Sequence, residues 1–390
     1  MGSNTGPRNL PERLESQWQA TIEAWRMRIL ARHLSVGVAI VTLLWVASAC
    51  QPEQPPRSST ISQWNYPTPA RSLNLRGQVV FAPGDGSLWL QSANGGNARV
   101  LVKSTGTNYA ESPTFSPDGK HVAYVKTTYD QNGNAIGDIR IIDLAGKDER
   151  VMAASSDIKT SFSFPAWSPD GRELLFTRTT VVAEAASDEI DRVSIAGGVA
   201  QPVLEGGRAA TVSPDGKKIA YLRLDFKLYR SSLWVADTDG SHPKQLVDQD
   251  TFVQLQGMRF SPDSRTLVFA ASGVPQKQLP GLQSRRDAPD GTAQSQTGTA
   301  DGCVSKILFT CWVNTAHAHG LPWDLWLVNL DGTEFEQLTR IGADSPYPAW
   351  SPDGKYIAFM DFSGLYVVNR ETKDGYLVSM NGGHGSVDWR

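Results

Sequence analysis

Cysteine is scarce, three residues in 390, too few to staple a disulfide scaffold. No apolar run reaches the roughly 20 residues of a membrane-spanning helix. The longest uncharged one, Leu34–Ala49 (LSVGVAIVTLLWVASA), has 16. A basic excess is also missing: 37 Lys and Arg stand against 40 Asp and Glu, a formal net charge of −3, whereas a nucleic-acid binder normally carries clustered positive charge. No H-E-x-x-H, no G-x-S-x-G elbow and no Gly-rich phosphate loop beside a βα turn occurs, so common zinc-protease, hydrolase and nucleotide-binding signatures are absent. What the chain has in quantity is Gly (35), Pro (23) and Trp (12), with 40% apolar residues. That mixture favours a folded chain of many short strands joined by turns.

The short apolar run has the proportions of a signal-peptide core. Arg26, Arg28 and Arg32 precede it and the polar, Pro-rich QPEQPPRSS follows. It ends in Ala47-Ser48-Ala49-Cys50, which resembles a bacterial lipoprotein signal, whose Cys receives a diacylglycerol and becomes the mature N-terminus. Ala47 departs from the Leu usual in that pattern. Translation from Met27 would give the short basic leader MRILARH, so residues 1–26 read as a mis-assigned start or a cytoplasmic extension. The competing reading is an uncleaved signal anchor with an ordinary buried Cys50. Residues 1–49 are thus expected to be extension and signal, and residues 50–76 a Pro- and Ser-rich tether. The expected location is outside the cytoplasm, on the cell membrane or outer membrane, and the exported part carries a net charge of about −5.

From residue 77 onward one unit recurs. SPDG occurs at Ser116–Gly119, Ser168–Gly171, Ser213–Gly216 and Ser351–Gly354, with SPDS at Ser261–Ser264, at spacings of 52, 45, 48 and 90. A period of this size signals a propeller or a solenoid. In each copy Pro presets φ, Asp can bond its own backbone and Gly accepts φ > 0. An alternating run such as HVAYV, KIAYL or YIAFM follows, as expected of a half-buried strand. The SPDG carboxylates are therefore turn residues and not catalytic ones, and Ser264 makes its turn strained or of another type. Phe115, Trp167, Val212, Phe260 and Trp350 precede the turns, and Trp389 supplies a sixth copy of that position. A second column (Leu88-Trp89, Ile139-Arg140, Asp191-Arg192, Leu233-Trp234, Leu325-Trp326, Leu365-Tyr366) marks six third strands. The first unit lacks an inner strand and the last residues form one with no unit behind it, so Ser386–Trp389 should complete the first blade beside Gln78–Phe81. The fold predicted is an all-β, six-bladed β-propeller over residues 77–390, closed so that no sheet edge gapes between first and last blades. The recurrent aromatics are expected to pack between blades.

An aromatic residue, SPDG, an alternating strand, a Leu-Trp strand and an Asp-Gly turn together resemble the repeats of the TolB-like propeller family. The likeness covers Gly77 to Arg390 and is specific for fold, weak for function. The family's namesake carries an α/β domain before its propeller, where this chain has only the tether, so a direct equivalent of the Tol–Pal component is not expected. What the resemblance implies is a periplasmic or surface-exposed propeller that binds an envelope protein or a cell-wall glycan; with no catalytic signature in the sequence, neither a cofactor nor chemistry of its own is expected. Propeller lyases that cleave acidic oligosaccharides with His and a metal resemble the repeat as well, which makes a metal-dependent lyase the alternative. The propeller is expected to be monomeric.

The fifth unit carries an insertion, residues 274–322. Its first half is polar and aperiodic; its second half holds Cys303 and Cys311. On a straight strand these would lie roughly 26 Å apart, so a disulfide, which an oxidising compartment favours, requires the segment to fold back. His317 and His319 could join the two Cys as a zinc set, or be solvated loop residues. A ligand should bind at the channel mouth, where loops enter the inner strands. The polar candidates there are Glu111, Arg208, Gln256, Asp344 and His384, with Tyr109, Phe162 and Tyr347 as contact aromatics; for each one, a plain surface role competes.

Overall fold

The computed structural model describes residues 68–390, apart from 71–72, 130–134, 156, 183–184, 274, 278, 281–321, 362 and 384. Cys50, Cys303, Cys311, His317, His319 and His384, with the readings placed on them, lie outside the described residues. No helix among the described residues is long and apolar enough to cross a membrane.

Six antiparallel sheets follow one another round a ring, and in chain order each runs from the centre outward. Blade 2 is Asn108–Phe115, His121–Tyr129, Ala135–Asp143 and Glu149–Ala153. Blade 3 is Thr160–Trp167, Glu173–Val182, Ala185–Ser194 and Gln201–Glu205, and blade 4 is Arg208–Val212, Lys218–Asp225, Arg230–Asp237 and Lys244–Val247. Gln254–Phe260, Thr266–Ser272, Trp323–Asn329 and Phe335–Gln337 make blade 5; Ala349–Trp350, Tyr356–Asp361, Gly364–Asn369 and Gly375–Ser379 make blade 6. Blade 1 is composite: Val387–Trp389 pairs with Gln78–Phe81, which continues to Leu88–Ser92 and Arg99–Val102. Successive inner strands touch all the way round, so the ring is closed. Closure requires glycine where the chain crosses itself, since a Cβ on Gly385 would lie 1.5 Å from the carbonyl oxygen of Ala82.

The core is not one cluster but six, each lying between a blade and the next. This explains a departure from the expected half-buried strands. Val122 to Val125 are all buried, as are Ile357 to Met360, because a second strand has a neighbouring blade on either side. The alternation read from the sequence is one of size: Ala123, Ala220 and Ala358 face one neighbour while larger residues on either side face the other. Trp residues before the turns tie blades together as expected. Trp167 Nε1 donates to the Thr114 carbonyl of blade 2 at 3.1 Å and Trp350 Nε1 to the Arg259 carbonyl of blade 5 at 3.2 Å, whereas Trp389 Nε1 donates at 2.8 Å to the Arg76 carbonyl, at the entry to its own blade.

The SPDG turns line the opposite face from the channel mouth, and each satisfies itself. At Ser116 the hydroxyl donates to Asp118 Oδ1 (2.6 Å) and accepts from the His121 amide (3.0 Å), while Asp118 Oδ1 also accepts from the Lys120 amide (3.1 Å). The same bonds recur at Ser168, Ser213, Ser261 and Ser351. Ser264 keeps the turn of its siblings: its φ is 61°, and its amide donates to the Ser261 carbonyl at 2.9 Å. The stretch expected as free tether is partly docked. Thr68–Pro69 adds a fifth, parallel strand to blade 6, and Ala70 and Leu75 are buried.

Candidate functional site

The channel mouth is built by a backbone irregularity that repeats. In blades 2 to 5 the pairing of inner and second strands slips at one level: between Glu111 and Thr114, Ser163 and Ala166, Arg208 and Thr211, and Gln256 and Arg259. At each slip a residue takes a left-handed backbone: Ser112 (φ 53°), Phe164 (51°), Ala209 (53°) and Gly257 (60°). A bulge of this kind bends the strand and re-aims side chains; for a residue with a Cβ it costs about 1–2 kcal/mol. Pro is tolerated because the inner strand is a sheet edge, and Ser112-Pro113, Phe164-Pro165 and Tyr347-Pro348 place it at equivalent positions. The residues just before the left-handed ones, Glu111, Ser163, Arg208 and Gln256, are thereby delivered to the mouth.

Blades 3 and 6 stand opposite each other in a ring of six. Phe164 of the first stacks on Tyr347 of the second, with ring centroids 6.3 Å apart and planes 25° apart, within the range of favourable aromatic pairs. The pair divides the mouth in two, and both rings line both halves. One half, a cavity of about 240 Å³, holds Arg208, Gln256, Tyr229 and Trp323. The other, about 370 Å³, holds Glu111, Tyr109, Ser163 and Ser386. Burial pushes the Tyr347 hydroxyl above the ordinary tyrosine range; the Arg208 and Arg259 charges act against that shift and Glu111 acts with it.

Side chains of the first half are fixed from behind. Arg208 Nη1 lies 3.5 Å from Asp188 Oδ2, and the guanidinium sits 5.7 Å from the centre of the Phe164 ring, a cation–π distance. Asp188 is buried and its other oxygen accepts from Thr179 Oγ1 at 2.6 Å. Gln256 Nε2 donates to Ser345 Oγ (3.2 Å) and the Pro346 carbonyl (3.3 Å). In the second half Glu111 Oε1 accepts from Thr127 Oγ1 at 3.1 Å, and Tyr109 meets Tyr129 edge to face at 5.6 Å. At the far end of the channel Arg259 and Asp388 share a third cavity. Burial raises the Asp388 carboxyl above the usual range, although Arg259 and the Phe115 amide oppose the shift.

Of the residues singled out from sequence, the structure brings Tyr109, Glu111, Arg208, Gln256 and Tyr347 to the mouth. Phe162 is not among them. It packs between blades with its ring 5.2 Å from Phe176, because the bulge after Ser163 reverses the side-chain parity and gives the channel position to Phe164. Asp344 lines neither half; its amide donates to Asp361 Oδ1 at 3.2 Å. Phe164, Ser163, Trp323 and Asp188 were not legible as site residues, although a Pro inside an inner strand was a signal for the bulge. Among the described residues no group of three His, Cys, Asp or Glu side chains stands close enough together to hold a metal ion.

The surface round the mouth is unusually apolar. Among the described residues, nine of the twelve exposed large apolar side chains lie at this end of the blades. Tyr109 and Val253 stand at inner-strand entrances, Tyr129, Val181 and Val182 at second-strand ends, and Leu228 and Tyr229 in the blade 4 hairpin. Ile158 and Met380 lie in loops between blades.

Such a closed ring of six sheets defines a six-bladed β-propeller. The model of the PD40 family, the TolB beta propeller domain, matches residues 68–306, and the chain belongs to that family. The Tol-Pal system protein TolB of Alcanivorax borkumensis is 30% identical over 107 residues, 26% of this chain and 24% of that protein. An uncharacterized protein of Agrobacterium fabrum is 22% identical over 251 residues, 59% of this chain and 75% of its own length. Among solved structures, TolB from Acinetobacter baumannii aligns with a TM-score of 0.56 at 16% identity, covering 80% of this chain and 66% of that one. A chain of a nidogen/laminin complex aligns at 0.54 and 12% identity, covering 80% and 97%.

Proposed function

We propose that the chain is a non-catalytic binding module of the bacterial cell envelope that grips a protein partner with the mouth end of its propeller. The observation that carries this reading is the concentration of exposed apolar side chains around a preformed, divided cavity, since contiguous exposed apolar surface marks interaction sites. Aromatic residues at a concave centre with polar residues beside them are the ordinary anatomy of a protein-recognition surface. The family also fits: one relative is named as a part of the Tol-Pal system and one similar structure is a protein–protein complex. Export and a lipid anchor on Cys50 complete the proposal, with the segment ahead of Thr68 serving as leash.

The test is capture from detergent-solubilised envelope by the full chain with a photo-crosslinker at Tyr229, on the mouth, or at Val151, on an outer strand. A discrete partner crosslinked at Tyr229 alone is expected. Equal yields at both positions, or turnover of oligogalacturonate by the purified chain, would overturn the reading. Mass spectrometry of the mature N-terminus tests the anchor, and an unmodified Cys50 would remove it.

A further inference from the structure

The two halves of the mouth carry opposite charges on either side of an aromatic wall: Arg208 in one, Glu111 in the other. The guanidinium has five N–H donors, and among the described residues its one close polar contact is the 3.5 Å approach to Asp188. It is therefore held by a buried carboxylate and by the Phe164 ring while the rest of its fork is uncommitted. Asp188 already offsets one charge, so the pocket gains little from a highly charged anion; what it offers is planar, bidentate geometry. Beside it, Gln256 is held through Nε2 by Ser345 and Pro346, which leaves Oε1 to accept from a ligand's N–H. Donor fork, fixed acceptor and aromatic floor match an acidic residue within an extended peptide.

We propose that the Arg208 half is a carboxylate subsite for a peptide: it receives an Asp or Glu side chain of a partner segment whose neighbouring apolar residue lies on the Phe164–Tyr347 pair. This rests on the protein-binding reading above. Glu111 repels a second carboxylate across the wall and so sets the direction in which the segment lies. The exposed apolar side chains of the rim, Ile158, Val181, Val182, Leu228 and Met380 among them, favour the apolar neighbours of a peptide carboxylate over a sugar acid.

The probe is an array of N-acetylated, C-amidated heptapeptides carrying Glu, Gln or Lys beside a Trp, with trigalacturonate as a glycan control and the full chain in detergent as analyte. Glu peptides should bind roughly tenfold or more above their Gln isosteres, the range of a charge-assisted hydrogen-bonded pair. Arg208→Gln should abolish that preference and Arg208→Lys should keep only part of it. Glu111→Gln should strengthen binding of acidic peptides, a change that loss of folding cannot mimic. Equal binding of Glu and Gln peptides, a preference that survives Arg208→Gln, or selective binding of trigalacturonate would each overturn the proposal. If envelope capture succeeds and is indifferent to Arg208→Gln, the subsite falls and protein binding stands. If capture fails, protein binding falls and the array still reports on the subsite.

Discussion

The two ends of the channel are built on opposite plans. At the turn end five Ser-Pro-Asp turns repeat one set of hydrogen bonds almost without variation, and turn glycines of blades 3, 4 and 6 pack on the proline of the blade before. At the mouth the backbone repeats as faithfully, with a left-handed residue in four consecutive inner strands, but the side chains it presents are Glu111, Ser163, Arg208 and Gln256. Repetition of side chain and backbone together marks scaffold. Repetition of backbone with divergent side chains marks the place where one device is used to deliver different chemistry.

That contrast can be broken most severely at the closure. Trp389 is buried and bonds Arg76, so Trp389→Ala should cost about 3–5 kcal/mol, read as a fall in the urea midpoint; Met380→Ala, exposed on the mouth loops, should leave the midpoint unchanged. A smaller effect separates two glycines. A Cβ on Gly257 would stand 2.9 Å from Pro348 Cδ and Tyr347 Cα, whereas Gly197 meets nothing within 4 Å. Both have positive φ, so Gly197→Ala should lose about 1 kcal/mol from strain and Gly257→Ala distinctly more, read as urea midpoints. At the turn end Ser213→Ala removes the acceptor for the Lys218 amide and should cost about 1–3 kcal/mol, while Ser112→Ala at the mouth should be nearly neutral. Identical midpoints for the two serine variants would erase the distinction between the ends.

The smallest expected effect is in pH. Hydrogen bonds from Ser116, Ser168 and Ser213 hold the Asp118, Asp170 and Asp215 carboxyls below their usual range, and the Lys218 ammonium brings Asp237 to about 2. The unfolded chain then binds more protons than the native one, so stability falls as pH drops from about 4 towards 2. Buried Asp388 and Asp324 are shifted the other way and lose stability as pH rises through their folded values. Urea midpoints at pH 5, 3 and 2 check the balance: a decline is expected, and Asp388→Asn should steepen it.

Much of the ring could be read from the sequence because its determinants are local. A Ser-Pro-Asp-Gly turn states its geometry in four residues, and the Phe, Trp or Val ahead of it marks the strand that faces the channel. The mouth was harder. Glu111, Arg208 and Gln256 were legible because they are polar residues where loops enter the inner strands, at the end of the channel where a ligand is expected. Phe162 was misplaced because one inserted residue exchanges inward and outward faces, and Pro165 was the trace of it. Asp188 was invisible, since its partner Arg208 comes from another blade. The docking of Thr68–Pro69 had no local signal either: a strand added to an edge borrows its pattern from the neighbour.

The composite first blade has a consequence in time. Trp389 reaches Arg76 across 313 residues of sequence, so blade 1 cannot be completed until residues 387–389 have left the ribosome and, if the chain is exported, the translocation pore. Until then the molecule is an open arc of blades with Gln78–Phe81 unpaired along its inner edge. Joining such distant ends adds little free energy, because the entropy of closure grows only with the logarithm of loop length, but it makes the last step slow and exposes two sticky strands while it is pending. A chaperone that shields Gln78–Phe81, or a delay that holds back Val387–Trp389, would therefore govern how much of the protein matures.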